Sequence, residues 1–146
     1  MRNYEIYLIR DGNINAPYPN VGKVYVSPLI SCAESAKVMY PEQTLHTAAT
    51  LLERDTGKNA ESDEDFALRC VAGLNQIFTD MTRNGVGKAA LITYDEAIVT
   101  LMAGCGLPKS NPTEFILEPG EGWLIRMTAY LWQKGYAFEI IGKLAL

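Results

Sequence analysis

The residues best placed for chemistry are Arg10, Asp11 and Gly12, which directly follow the apolar run Ile6-Tyr7-Leu8-Ile9. In open α/β folds, ligands gather where the carboxyl ends of strands meet loops. An arginine and a carboxylate at that point can hold charged groups. A second apolar run, Ala89-Ala90-Leu91-Ile92-Thr93, hands over in the same way to Tyr94, Asp95 and Glu96. Other reactive residues are scattered. Cys32, Cys70 and Cys105 are odd in number, far apart and set among apolar residues, so they read as small buried hydrophobes. His46 is the single histidine, and without neighbouring Cys or His it is no zinc site.

The elements that would position these residues follow from pattern. Tyr4 to Ile9 and Ala89 to Thr93 show little alternation, as in strands buried on both faces. Pro17 and Pro19 exclude a regular helix between Asp11 and Lys23. Val24-Tyr25-Val26 is a short strand, and Ser27-Pro28 predicts a helix start, with serine as cap and proline in the first position. Leu29, Cys32, Ala36, Met39 and Tyr40 share one face of that helix. Glu42 to Glu61 is less periodic, with core contact expected from Leu45, Leu51 and Leu52. The best helix opens at Ser62-Asp63-Glu64-Asp65, buries Phe66, Cys70, Leu74, Ile77, Phe78 and Met81, and stops at Asn84-Gly85. A short helix runs through Cys105. Trp123 to Trp132 then alternates, and Gln133-Lys134-Gly135 turns the chain into Tyr136 to Ile141, a C-terminal β-hairpin. These elements give an α/β fold: a mixed, mostly parallel sheet flanked by helices on both faces.

The totals bound the function. The 146 residues fit one domain, 1–146. A composition 48% apolar and 21% charged is ordinary for a soluble globular protein. A net charge of -4 argues against nucleic acid or an anionic membrane as partner. No apolar run reaches a spanning length of roughly 18 residues. Met1-Arg2-Asn3-Tyr4 shows no signal-peptide pattern, so the expected location is the cytoplasm.

Four segments resemble the histidine phosphatase superfamily, also called phosphoglycerate mutase-like, and they occur in that family's order. Leu8-Ile9-Arg10-Asp11-Gly12 resembles its opening Leu-Ile-Arg-His-Gly motif. Val24-Tyr25-Val26-Ser27-Pro28-Leu29-Ile30-Ser31-Cys32-Ala33-Glu34-Ser35-Ala36 resembles its Val-Tyr-x-Ser-Pro-Leu-x-Arg-Cys-x-Glu-Thr-Ala segment. Leu51 to Gly57 resembles the segment that supplies its acid, and Leu91-Ile92-Thr93-Tyr94-Asp95 its strand ending in Ser-His-Gly. The resemblance spans almost the whole chain and is most specific at Ser27-Pro28-Leu29. It points to small bacterial members similar to α-ribazole-5′-phosphate phosphatases.

In that family a histidine attacks phosphorus, two arginines and a second histidine hold the phosphoryl oxygens, and a glutamate protonates the leaving group. By resemblance, Asp11 stands at the nucleophile position, Tyr94 at the second histidine, Ser31 at the second arginine and Glu53 at the acid. Arg10 remains, with Gly12 and Asp95 beside the ligand-binding positions, and Ile14 and Pro17 replace the usual Thr and Asn contacts. One arginine therefore faces Asp11 and Glu53, with Asp95 and Glu96 nearby. A phosphate dianion meets acids where it needs cations.

Three functions are open to such a chain. It could bind a ligand or protein partner without catalysis, the acids favouring a cation, an amine or an Arg/Lys side chain. It could hydrolyse small phosphate esters through an acyl phosphate at Asp11. It could serve assembly as a homodimer, through an edge strand or helix face. No metal or cofactor is implied. Each residue also has a structural role open to it: Arg10 as ion-pair partner of Asp11 or Glu53, Tyr94 as a packed ring with its hydroxyl in water, and Asp95 and Glu96 as acids favouring a helix N-terminus.

Overall fold

The computed structural model describes residues 2–12 and 17–144. Among the described residues the strands are β1 (Tyr4–Arg10), β2 (Lys23–Val26), β3 (Leu45–Thr47), β4 (Lys88–Thr93), β5 (Gly106–Leu107), β6 (Gly122–Met127) and β7 (Phe138–Lys143). They form one sheet in the order β3-β2-β4-β1-β6-β7-β5. Only β6 runs against the rest. The mixed, mostly parallel sheet expected from pattern is therefore present.

Alternation along β1 and β4 builds two cores. Ile6, Leu8, Ala89 and Leu91 face α2 (Asp63–Asn84), α3 (Asp95–Cys105) and α4 (Ala129–Gly135). Ile9, Ala90 and Ile92 face α1 (Ile30–Met39), with Val24 and Val26 of β2. All three cysteines are free and buried. Register sets the strand ends level: Arg10 lies beside Thr93, and Val26 beside Ile92. The carboxyl ends of β1, β2 and β4 thus share one rim. No helix among the described residues is long and apolar enough to cross a membrane.

α2 forms as its pattern predicts. Ser62 Oγ accepts from the Asp65 N–H at 3.1 Å, three acids occupy the first turn, and Gly85 closes the helix in the left-handed region. The expected stripe is buried.

Four expectations need correction. α1 begins at Ile30 with Leu29 as its cap residue, and Ser27 does not cap it. Ser27 is buried at 1% exposure, and a buried hydroxyl needs a partner; it donates to Thr93 Oγ1 at 2.7 Å across the sheet end. The stretch after Pro41 holds β3, a three-residue edge strand too short to show alternation. Within the same stretch Leu51 is fully buried while Leu52 is 51% exposed. Finally, β6 stops at Met127. Thr128 Oγ1 caps α4, accepting from the Leu131 N–H at 3.3 Å, so a short helix replaces the turn at Gln133-Lys134-Gly135. Trp132, 1% exposed and donating to Asn75 Oδ1 at 2.8 Å, anchors that helix. β6 and β7 still pair antiparallel as a hairpin.

Leu51 is the inward anchor of the stretch between β3 and α2. It packs on Gly73, where a Cβ would come within 2.7 Å of Leu51 Cδ2. Leu51→Ala should lower stability by about 2–5 kcal/mol, the usual cost of a cavity at a sealed site, measured by urea unfolding.

Candidate functional site

The rim at the ends of β1, β2 and β4 brings together residues from distant parts of the chain. Arg10 ends β1. Its Nη1 donates to the carbonyl of Leu117, while Asp95 Oδ1 accepts from the Leu117 N–H at 3.4 Å. Both backbone polar groups of one buried residue are thus held by two residues expected to bind ligand. The Arg10 main chain is fixed too: its N–H donates to Glu121 O, and its carbonyl accepts from the Gly120 N–H at 3.0 Å. Among the described residues no ion pair joins Arg10 to Asp11 or Glu53, contrary to that expectation. The charge goes to a carbonyl on the opposite loop.

Asp11 follows, with its N–H donating to Thr93 O at 3.0 Å. The Gly12 N–H donates to Ser35 Oγ at 2.8 Å, and that hydroxyl donates to Ser31 O at 2.8 Å. Gly12 has φ +153°, and a Cβ there would overlap Pro119. Glycine is required for the close approach of the two loops. Ser31 lies exposed in the first turn of α1. Ile14 lies outside the described residues, while Pro17 lies in a described stretch with neither helix nor strand.

Cys32 lies buried in α1. Burial pushes its thiol up to about 12; Asp11 adds to the rise, a Ser31 hydrogen bond opposes it, and Glu53 adds further. At neutral pH that thiol is protonated and unreactive.

Tyr94 reaches Glu53's segment from the other side. It is the cap residue of α3, and its hydroxyl donates to Leu52 O. Burial pushes that hydroxyl well above its ordinary range. The expectation of a hydroxyl in water is thereby corrected: the ring sits near Phe66 and the oxygen is tied to backbone.

Two residues that motif reasoning missed complete the arrangement. Arg69 donates to Thr50 O at 2.8 Å, Leu52 O at 2.7 Å and Glu53 O at 3.3 Å, and it grips Glu61 through Nε at 2.9 Å and Nη2 at 2.6 Å. Arg54 bridges Asp63 at 2.6 Å and Glu96 at 3.1 Å. Their guanidinium carbons stand 4.6 and 5.3 Å from the Phe66 ring centroid, with Arg54 the nearer. A cation over an aromatic face is attracted by the ring quadrupole. The available signal was Arg69 three residues after Phe66 on one helix, a spacing that places both on neighbouring faces. With Arg10, three arginines stand against Asp11, Glu53, Glu61, Asp63, Asp95 and Glu96. No group of three or more His, Cys, Asp or Glu among the described residues is placed to hold a metal ion. The main grooves among the described residues are lined by other side chains than Arg10, Asp11, Glu53 and Tyr94.

Tyr94→Phe removes one bond to the 50–53 backbone and should cost about 1 kcal/mol, with faster proteolysis between Thr50 and Glu61. The ion pair adds a pH signature. Arg69 holds Glu61 down to about 2 from an ordinary 4.5. A depressed folded pKa contributes stability above the unfolded value, and that contribution is lost as pH falls towards the folded one. Urea midpoints of the wild type should therefore fall more steeply between pH 4.5 and 2 than those of Glu61→Gln.

Neither a family model nor a curated protein matches the sequence. Solved structures do match the fold. A phosphoglycerate mutase from Bacillus anthracis superimposes with a TM-score of 0.76 at 13% identity, over 97% of this chain and 92% of that one. A mycobacterial glucosyl-3-phosphoglycerate phosphatase gives 0.73 at 10% identity, over 97% and 98%. The α-ribazole phosphatase from Shigella flexneri gives 0.71 at 13% identity, over 94% and 95%. At such identities the likeness concerns architecture, and it is near complete in both directions: this chain has the histidine phosphatase, phosphoglycerate mutase-like fold.

Proposed function

We propose that the chain is a non-catalytic domain on a phosphatase fold, binding a cationic group of a ligand or protein partner at the rim of β1, β2 and β4. The observation that carries this reading is where the donors go. Arg10 donates to Leu117 O and Tyr94 to Leu52 O. Groups that would grip phosphoryl oxygens in the family pattern here grip the protein's own carbonyls.

Charge supports the same reading. A like-charge contact near 4 Å costs about 4 kcal/mol at an effective dielectric near 20. A phosphate dianion beside Asp11 and Glu53 meets two such contacts, and Arg54 and Arg69 already answer Asp63, Glu96 and Glu61. An ammonium or guanidinium group reverses the sign of both contacts. Phosphohistidine chemistry has no nucleophile here, since Asp11 stands at that position.

The competing reading, hydrolysis of small phosphate esters through Asp11, takes its weight from solved neighbours named as phosphatases and a mutase. An aryl phosphate and a panel of phosphorylated metabolites decide between the two. The purified protein should leave all of them intact, and Arg10→Ala should match the wild type. Turnover abolished by Arg10→Ala and Asp11→Ala would make the pocket catalytic and end this proposal.

A further inference from the structure

Away from the strand-end rim, α2, α3 and the end of α4 enclose a groove of about 430 Å³. It shares no lining residue with the rim. Leu68, 69% exposed, and Val71 form one wall from α2. Tyr136, Gly104 and Gly135 also line it.

The two glycines and the tyrosine are placed against ordinary helix chemistry. A helix that ends in the left-handed region favours glycine at that residue. α4 does end there, yet the left-handed residue is Tyr136, at φ +52°, and glycine stands one position earlier. Gly135 has no positive φ, and a Cβ there would meet nothing within 4 Å. Gly104 lies within α3 with equally open space around it. Neither crowding nor backbone conformation calls for glycine at 104 or 135, and glycine weakens a helix relative to alanine. Tyr136 occupies a conformation that favours glycine, held by its edge-on packing against Trp132 at 5.1 Å. Backbone strain of this kind, kept where a commoner residue would relieve it, marks a site. The result is open space at both glycines and an exposed tyrosine along the same groove.

One charged side chain lines the groove, Glu64, in the acidic first turn of α2 between Asp63 and Asp65. Sites for small molecules are concave, mostly apolar, of about 300–1,000 Å³, with a few polar groups that set orientation. We propose that this groove binds a small apolar molecule carrying one positive charge, an aryl- or alkylamine. Its body lies between Leu68, Val71 and Tyr136, and its ammonium faces Glu64.

Calorimetry with phenylbutylamine, phenylbutanol and phenylbutanoate on the intact protein tests this. The amine should bind saturably, the alcohol about fivefold more weakly, as an exposed ion pair warrants, and the acid more weakly still. Glu64→Gln should bring the amine to the level of the alcohol. Gly104→Leu should fill the groove and abolish binding without lowering Tm, and Leu68→Lys, an exposed change, should abolish it independently. No saturable binding at millimolar amine, equal affinity for the acid, or binding that survives both variants overturns the proposal. So does amine binding that is lost in Asp11→Asn and kept in Gly104→Leu, which would place the amine at the rim. A dimer in light scattering that both groove variants dissociate would make the groove a self-interface and overturn it as well.

Discussion

A strand buried on both faces and paired on both edges can place polar side chains only at its ends. β1 is that strand here, between β4 and β6, with Ile6, Leu8 and Ile9 fully buried. Arg10 and Asp11 stand where burial stops. Parallel pairing with β4 fixes Arg10 opposite Thr93, and β2 joins β4 one step away, so three strand ends and the loops that leave them converge. The location of the site is thus a consequence of packing. Its chemistry is decided separately, by what the polar groups there are bonded to.

Those bonds run inward. The stretch between β3 and α2 has no regular structure of its own, and an irregular backbone must find hydrogen-bond partners elsewhere. Arg69 and Tyr94 supply them to the carbonyls of Thr50, Leu52 and Glu53, while Arg54 and Glu61 add ion pairs to Asp63 and Arg69. Across the rim, Arg10 and Asp95 do the same for Leu117. The loops at the rim are thus fastened by Arg10, Arg69, Tyr94 and Asp95. Among the described residues the carboxylates of Asp11 and Glu53 make no ion pair.

Much of this was legible from residue order. Doubly apolar runs announced β1 and β4, and the Ser62 cap with its acids announced α2, because those signals are local and the structure honours them. Motif order singled out Arg10, Asp11, Glu53 and Tyr94, of which Arg10, Asp11 and Tyr94 stand at the ends of β1 and β4. The failures were tertiary. Ser27 looks like a cap, but the sheet end buries it and Thr93 takes its hydroxyl. Alternation from Trp123 ran on through Ala129 and Leu131 as though the strand continued, yet Thr128 begins a helix there, held by Trp132 against Asn75. Arg54 and Arg69 matter through a neighbour, Phe66, and through carbonyls that no side-chain pattern encodes.

The central claim is that the rim has exchanged affinity for phosphoryl oxygens for internal bonds and acids. Calorimetric titration of the wild type with tungstate, a tetrahedral dianion, tests it most directly. The account predicts no saturable binding at millimolar tungstate. Micromolar binding that disappears in Arg10→Ala would contradict it, since Arg10 would then be free to leave Leu117 and hold an anion.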